Sequence, residues 1–201
     1  QVVVGKENYA TVIDGFTIEG AWTGDIVDTV YLNGYSKLVL RHNTIYSAMG
    51  DVNWRTYGDT HYGNAVNGYD AYLQAYHNRF LVPSETPDHV ISKAIFLTDS
   101  CHLIARNHFV SFRDSTVTRR TQGSLVGNLI EDGYNAIKTA EEKINIHNNT
   151  IGLQAHGHGC GYAVYMDESQ PLINNNLFVL EGGSAKGVDE AGESSDPSSF
   201  K

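Results

Sequence analysis

A lysine placed one repeat of the chain after two adjacent arginines is a combination suited to removing a proton from carbon beside a carboxylate. Lys138 follows Arg119 and Arg120 in this way. β-Elimination from a uronic acid needs a base at C5 and a cation that holds the carboxylate while charge develops on it. Neighbouring guanidinium groups would lower the pKa of Lys138 and favour the neutral amine. In this reading Lys138 is the base and Arg119 or Arg120 the neutralising cation, while ordinary surface charge accounts for the same three residues without chemistry. Tyr31, Phe96 and Tyr165 stand, like Lys138, between apolar neighbours in short alternating runs, so all four point the same way. Such a stripe would stack on sugar rings, and it would equally fit a plain pleated surface.

Two further sets carry chemistry. The stretch from Ser47 to Asn64 holds Trp54, Arg55 and His61 as candidate ligand contacts, among Asp51, Tyr57, Asp59 and Tyr62, although packing of a loop explains its aromatics as well. Asp99, Glu141-Glu142 and Asp167-Glu168 occupy equivalent places in three repeats. Stacked carboxylates there would take Ca²⁺, with Asp167 and Glu168 as ligands, against the plainer reading of solvated turn acids. His156 and His158 have metal-ligand spacing but no third partner, and the surrounding glycines read as a loop.

These residues are placed by a repeat. Six segments end alike, at Asn43-Thr-Ile45, Asn78-Arg-Phe80, Asn107-His-Phe109, Asn128-Leu-Ile130, Asn149-Thr-Ile151 and Asn176-Leu-Phe178, and Thr17-Ile18 ends an earlier one without the Asn. The apolar residues 18, 45, 80, 109, 130, 151 and 178 are spaced by 27, 35, 29, 21, 21 and 27, so the shortest coil sets the period at 21. Ahead of most of them stands an alternating run, Val30-Leu32, Ile95-Leu97, Ile137-Thr139 or Val164-Met166, with Ala65-Val66 a weaker version. Each coil therefore carries about three short strands with one face buried, and no stretch sustains helical spacing. Asn43, Asn78, Asn107, Asn128, Asn149 and Asn176 form an architectural ladder: Asn tolerates a left-handed corner, and stacked amides bond one another. Asn148-Asn149-Thr150, formally a glycosylation sequon, falls within that ladder. The coils ending at Asn107 and Asn128 read as about one position shorter than the others.

With its Asn-Thr-Ile, Asn-Arg-Phe and Asn-Leu-Phe corners, the coil resembles the pectate-lyase-like right-handed parallel β-helix superfamily over about residues 2 to 180. The resemblance implies a right-handed solenoid of about seven coils with three short strands per coil. It also implies a cleft along the outer face of the first strand, walled by long return loops, which puts the Ser47–Asn64 stretch at its edge. It identifies architecture better than chemistry, since the superfamily holds lyases, hydrolases, tailspikes and plain surface proteins. Gly157-His158-Gly159 matches a tripeptide of its polygalacturonase-like hydrolases, whose paired aspartates and Asn-Thr-Asp segment are absent here.

Composition narrows the rest. A net charge of −9 disfavours unspecific nucleic-acid binding, and no apolar run approaches the about 20 residues of a membrane helix. The 41% of hydrophobic residues excludes a disordered chain. Cys101 and Cys160 allow one disulfide. Residues 1–180 read as the solenoid and 181–201 as an acidic Gly/Ser-rich loop or tail. Neither end shows an amphipathic cap, so further chain or self-association is expected to cover the open coils. The expectation is an extracellular or cell-surface protein that binds a polysaccharide and cleaves it by β-elimination. Against it stands a non-catalytic module of a surface filament, adhesin or tailspike built by stacking coils.

Overall fold

The protein is a right-handed parallel β-helix. The computed structural model describes residues 2–5, 10–20, 28–47, 64–82, 93–131, 135–154, 161–181 and 185–191. Their strands form three sheets in which every pairing is parallel. The first sheet runs Val2–Val4, Val30–Leu32, Val66–Tyr69, Lys93–Thr98, Asp114–Arg119, Asn135–Ala140, Tyr162–Asp167 and Lys186–Ala191. The second runs from Thr11–Asp14 through Lys37–Arg41, Tyr72–Tyr76, Cys101–Ala105, Gln122–Val126 and Asn145–His147 to Leu172–Asn174, and the third from Thr17–Ile18 to Leu177–Glu181. Each coil visits the three sheets in turn.

The apolar residues that ended each repeat in the sequence are one inward column of the third sheet. Ile18, Ile45, Phe80, Phe109, Ile130, Ile151 and Phe178 pair in register, and the Phe80 and Phe109 rings stack at 4.9 Å and 6°. Burial of these side chains with Val30, Leu32, Ile95, Leu97, Ile137 and Val164 from the first sheet forms one continuous core.

Two corners per coil are fixed by hydrogen bonds between coils. At the second corner each ladder Asn accepts, on Oδ1, both the backbone N–H and the Nδ2–H of the Asn one coil earlier, as Asn128 does from Asn107 at 3.0 and 3.2 Å. Its own Nδ2 donates to a carbonyl of the preceding coil, Ile104 in the case of Asn128 at 2.9 Å. The bonds repeat from Phe16, whose N–H meets Asn43, to Asn176. The left-handed conformation belongs to the residue before each Asn, His42, His77, Arg106, Gly127, Asn148 and Asn175, and to Gly15 before Phe16 in the first coil. The ladder Asn residues are thus selected for their amides and not for the turn. A non-glycine residue in that region costs about 1–3 kcal/mol, which the bonds of the rung outweigh.

The first corner has its own ladder, built from unlike residues. Tyr35, Asp70, Asp99, Arg120, Glu141 and Glu168 are left-handed there, with φ between 48 and 62°. The next residue reaches back one coil: Ser100 Oγ accepts the Ala71 N–H at 3.0 Å, Glu142 Oε2 that of Thr121 at 3.0 Å, and Ser169 Oγ that of Glu142 at 3.3 Å. Because both corners are fixed, variation in coil length falls on the return from the third sheet to the first.

Three features differ from the sequence reading. The coils ending at Asn107 and Asn128 are not short; Leu73 pairs with His102 and His102 with Gly123, so an imidazole and a glycine occupy the inward place expected of leucine. A Cβ on Gly123 would lie 2.8 Å from the His102 ring, which fills the space the glycine leaves. The polar strand Asp114–Arg119 has no counterpart among the alternating runs, because its inward residues Thr116 and Thr118 are polar yet fully buried. Lys186–Ala191 pairs with Tyr162–Asp167, so the stretch read as tail contributes an eighth strand to the first sheet, with Val188 packed on the core.

Two outcomes follow from this packing. Asn128→Ala should lower unfolding free energy by about 2–3 kcal/mol in chemical denaturation, since buried donors lose their acceptor, whereas Asn176→Ala at the last rung should lose about 1 kcal/mol. His102 is 4% exposed and neither ring nitrogen meets a hydrogen-bond partner among the described residues; burial lowers its pKa from 6.5 to about 4. The unfolded chain therefore binds the extra proton first, so stability is full above pH 6.5 and falls as pH drops from 6.5 towards 4, by on the order of 3 kcal/mol. In His102→Leu this part of the acid sensitivity should vanish from denaturation midpoints measured across that window.

Candidate functional site

The outer face of the first sheet brings together most of the described residues expected to meet a ligand. Register places Tyr31, Asn67, Phe96, Val117, Lys138, Tyr165 and Asp189 in one outward column. Tyr31, Phe96, Lys138 and Tyr165 thus share a line, as alternation required.

A second outward column stands three residues earlier: Lys93, Asp114, Asn135, Tyr162 and Lys186. Strict alternation would turn these residues inward. They face out because the strand bends after them: Ala94 and Ile95 are both buried, as are Ala136 and Ile137, and Ala163 and Val164. The recurring small residue, Ala65, Ala94, Ser115, Ala136 and Ala163, is the sequence signal of that bend.

Each lysine of these two columns lies over a ring. Lys93 Nζ is 4.5 Å from the centroid of Phe96, Lys138 Nζ 5.2 Å from that of Tyr165, and Lys186 Nζ 5.4 Å from that of Tyr162. The acids of the face are engaged with neighbours. Asp28 accepts from the Asn64 N–H and Nδ2 at 2.8 Å each and from Asn67 Nδ2 at 2.7 Å, Asp114 accepts from Asn135 Nδ2 at 2.7 Å, and Asp189 meets Lys186 at 3.5 Å. Lys93 is half-buried, and that desolvation holds its ammonium below the ordinary lysine range; Asp114 opposes the shift and Lys138 adds to it. Lys93 and Lys138 flank the coil of Asp114 and Val117, two coils or about 9.6 Å apart along the axis.

Arg119 ends a strand of this sheet one coil before Ala140, and Arg120 follows it at the first corner. Arg119 donates to Glu141, and Arg120 is bidentate on Asp99 at 2.8 and 2.7 Å with Glu141 at 3.7 Å, forming an ionic chain along the first corner. Arg120 keeps the Asp99 carboxyl below the usual carboxylate range. To act as the cation beside Lys138 that the sequence suggested, either guanidinium would have to leave these acids. Glu142 faces into the corner, where Thr118 and Thr121 donate to it; burial raises its pKa against those bonds.

Among the described residues no three His, Cys, Asp or Glu side chains are grouped to hold a metal ion. Asp167 and Glu168 are exposed at the corner, while Asp99 and Glu141 bind arginine. Trp54, Arg55, His61, His156, His158 and Cys160 lie outside the described residues, and Cys101 is an exposed free thiol. No helix among the described residues is long and apolar enough to cross a membrane.

Compared with protein-family models, with curated proteins and with solved structures, the chain matches none.

Proposed function

We propose that the protein binds an acidic polysaccharide along the outer face of its first sheet, as the likeness of its coil to pectate-lyase-like β-helices suggests. The observation that carries this reading is the alignment of Lys93, Phe96, Lys138 and Tyr165 in two adjacent outward columns of one rigid sheet. Ring faces suit the C–H surface of a sugar, and the two lysines stand two coils, about 9.6 Å along the axis, from each other, so an extended uronate chain lying along the axis would span both.

The chemistry that fits this pair is β-elimination. Lys93, whose ammonium gives up its proton more readily than an ordinary lysine, is the better base for a uronate bound beside it, while Lys138 holds the carboxylate of another sugar and keeps the chain in place. In the reaction the amine takes the C5 proton, the electron pair of the broken C5–H bond forms the C4–C5 double bond, and the C4–O bond breaks with the leaving oxygen taking a proton from water. Secretion or surface display is the setting in which such a polymer is met.

Retardation in native gels containing polygalacturonate or alginate tests the binding, and ultraviolet absorbance of unsaturated uronate products tests the elimination. Lys93→Gln and Lys138→Gln should each weaken retention about tenfold, the effect of losing one charge-assisted contact of about 1.5 kcal/mol, and added salt should weaken it further. Arg119→Gln should leave retention unchanged. Product formation should rise with pH and reach its midpoint below the ordinary lysine value of 10.5, because the base acts deprotonated. Retention without product in every polymer would leave a binding module and remove the lyase. Equal retention of the wild type and both lysine variants would remove the first-sheet site.

A further inference from the structure

The corner between the first and second sheets carries a surface that the lysine face does not explain. Three of its tyrosines are exposed: Tyr35 at 67%, Tyr69 at 52% and Tyr72 at 39%. Gln74 Nε2 donates to the Tyr72 hydroxyl at 2.6 Å, which holds that ring in place on the outer face. Tyr72 pairs with Cys101 and Cys101 with Gln122, so the tyrosine and the glutamine stand on one line parallel to the solenoid axis, about 9.6 Å apart.

At Gln122 the line enters an open depression. Its lining includes Gln122, Ser124, Lys143, Asn145 and Gln170 from three successive coils. Gln122, Asn145 and Gln170 are exposed and Ser124 is half-buried; the one hydrogen bond recorded among these four side chains is the long contact from Asn145 Nδ2 to Ser124 Oγ, at 3.5 Å. Of the charges beside them, Arg119 and Arg120 are paired with Glu141 and Asp99, and Lys143 stands with the acids Glu142 and Glu168 in the same lining, which leaves no excess of positive charge. The corner therefore offers amide and hydroxyl groups in line with aromatic faces, with little net field to attract an anion.

We propose that this corner is a second saccharide-binding surface, which takes a neutral polysaccharide chain lying along the solenoid axis. Tyr69 and Tyr72 stack on the sugar rings at one end, and the amides of Gln122, Asn145 and Gln170 bridge neighbouring hydroxyls at the other, each amide offering a donor and an acceptor to a diol. A charged polymer gains nothing from the paired ions, whereas a neutral one loses nothing to them. The surface is separate from the lysine columns, so the two sites stand or fall independently.

Cys101 lies on the line between Tyr72 and Gln122 and reports its occupancy. In a Cys160→Ser background, alkylation of Cys101 by iodoacetamide would be followed with and without mixed-linkage β-glucan, xyloglucan or glucomannan, beside retardation in gels containing the same polymers. At least one of these glycans should retard the protein and slow alkylation several-fold. Tyr69→Ala/Tyr72→Ala and Gln122→Ala/Asn145→Ala should lose both effects while unfolding at the wild-type midpoint, since all but Ser124 of these side chains are exposed, and Lys93→Gln should keep both. The proposal is overturned if none of the three glycans retards the protein, if retardation comes without protection of Cys101, if the corner variants behave as wild type, or if only acidic polymers protect the thiol.

Discussion

The stacked amide of the ladder asparagine is the interaction on which the rest of this structure depends. A coil that turns through a left-handed residue leaves buried backbone N–H groups facing along the axis, and water does not reach them. Asn43, Asn78, Asn107, Asn128 and Asn149 are 1–2% exposed, and each both supplies an acceptor to the coil before it and takes one from the coil after it. Once that register is set, the third sheet can only align Ile45 with Phe80 and Phe80 with Phe109. The apolar column is thus a consequence of the polar one as well as its companion in excluding water.

The same constraint directs where the protein can vary. With one corner held by asparagine and the other by Ser100, Glu142 and Ser169, additional residues are accommodated where no ladder bond is spent, between the third sheet and the next strand of the first. Lys93, Asp114, Asn135 and Lys186 open the strands that follow those returns. They meet the solvent-side groups of the sheet at the point of greatest variability, while the bend at Ala94 and Ala136 keeps them on the outer face. A rigid sheet beside variable returns is the arrangement in which ligand contacts can change without disturbing the core.

Much of the architecture was legible because it repeats one residue type at one place. Asn before an apolar pair recurs in six coils, and the eye needs no register to find it. The first-corner ladder was not legible, because Ser100, Glu142 and Ser169 perform one task with two different chemistries. His102 and Gly123 escaped because they share one core position as a large and an absent side chain, so neither resembles Leu73. At the candidate site, Tyr31, Phe96, Lys138 and Tyr165 followed from alternation, but Lys93 and Lys186 did not, since the bend adds a residue that alternation cannot count. The ion pairs of Arg119 and Arg120 were not legible for a different reason. Their partners Asp99 and Glu141 are about one coil away in sequence and adjacent in space, and that adjacency exists only after the corner has been stacked.

That ionic chain also explains how two unlike surfaces can share one strand edge. Arg119 ends the strand whose outward neighbours Asp114 and Val117 lie between Lys93 and Lys138, so an unpaired guanidinium there would extend positive field across the corner to Gln122. Exposed ion pairs of this kind contribute little to stability. Their effect here is on the field: Glu141 and Asp99 each pair a guanidinium, which limits the positive field the arginines would otherwise extend over the corner. A solenoid repeats its surface every coil, so a charge placed at one corner would otherwise be felt along a whole line of neighbours. Pairing successive coils with opposite signs is the simplest way to prevent that, and it requires the one-coil register that the asparagine ladder enforces.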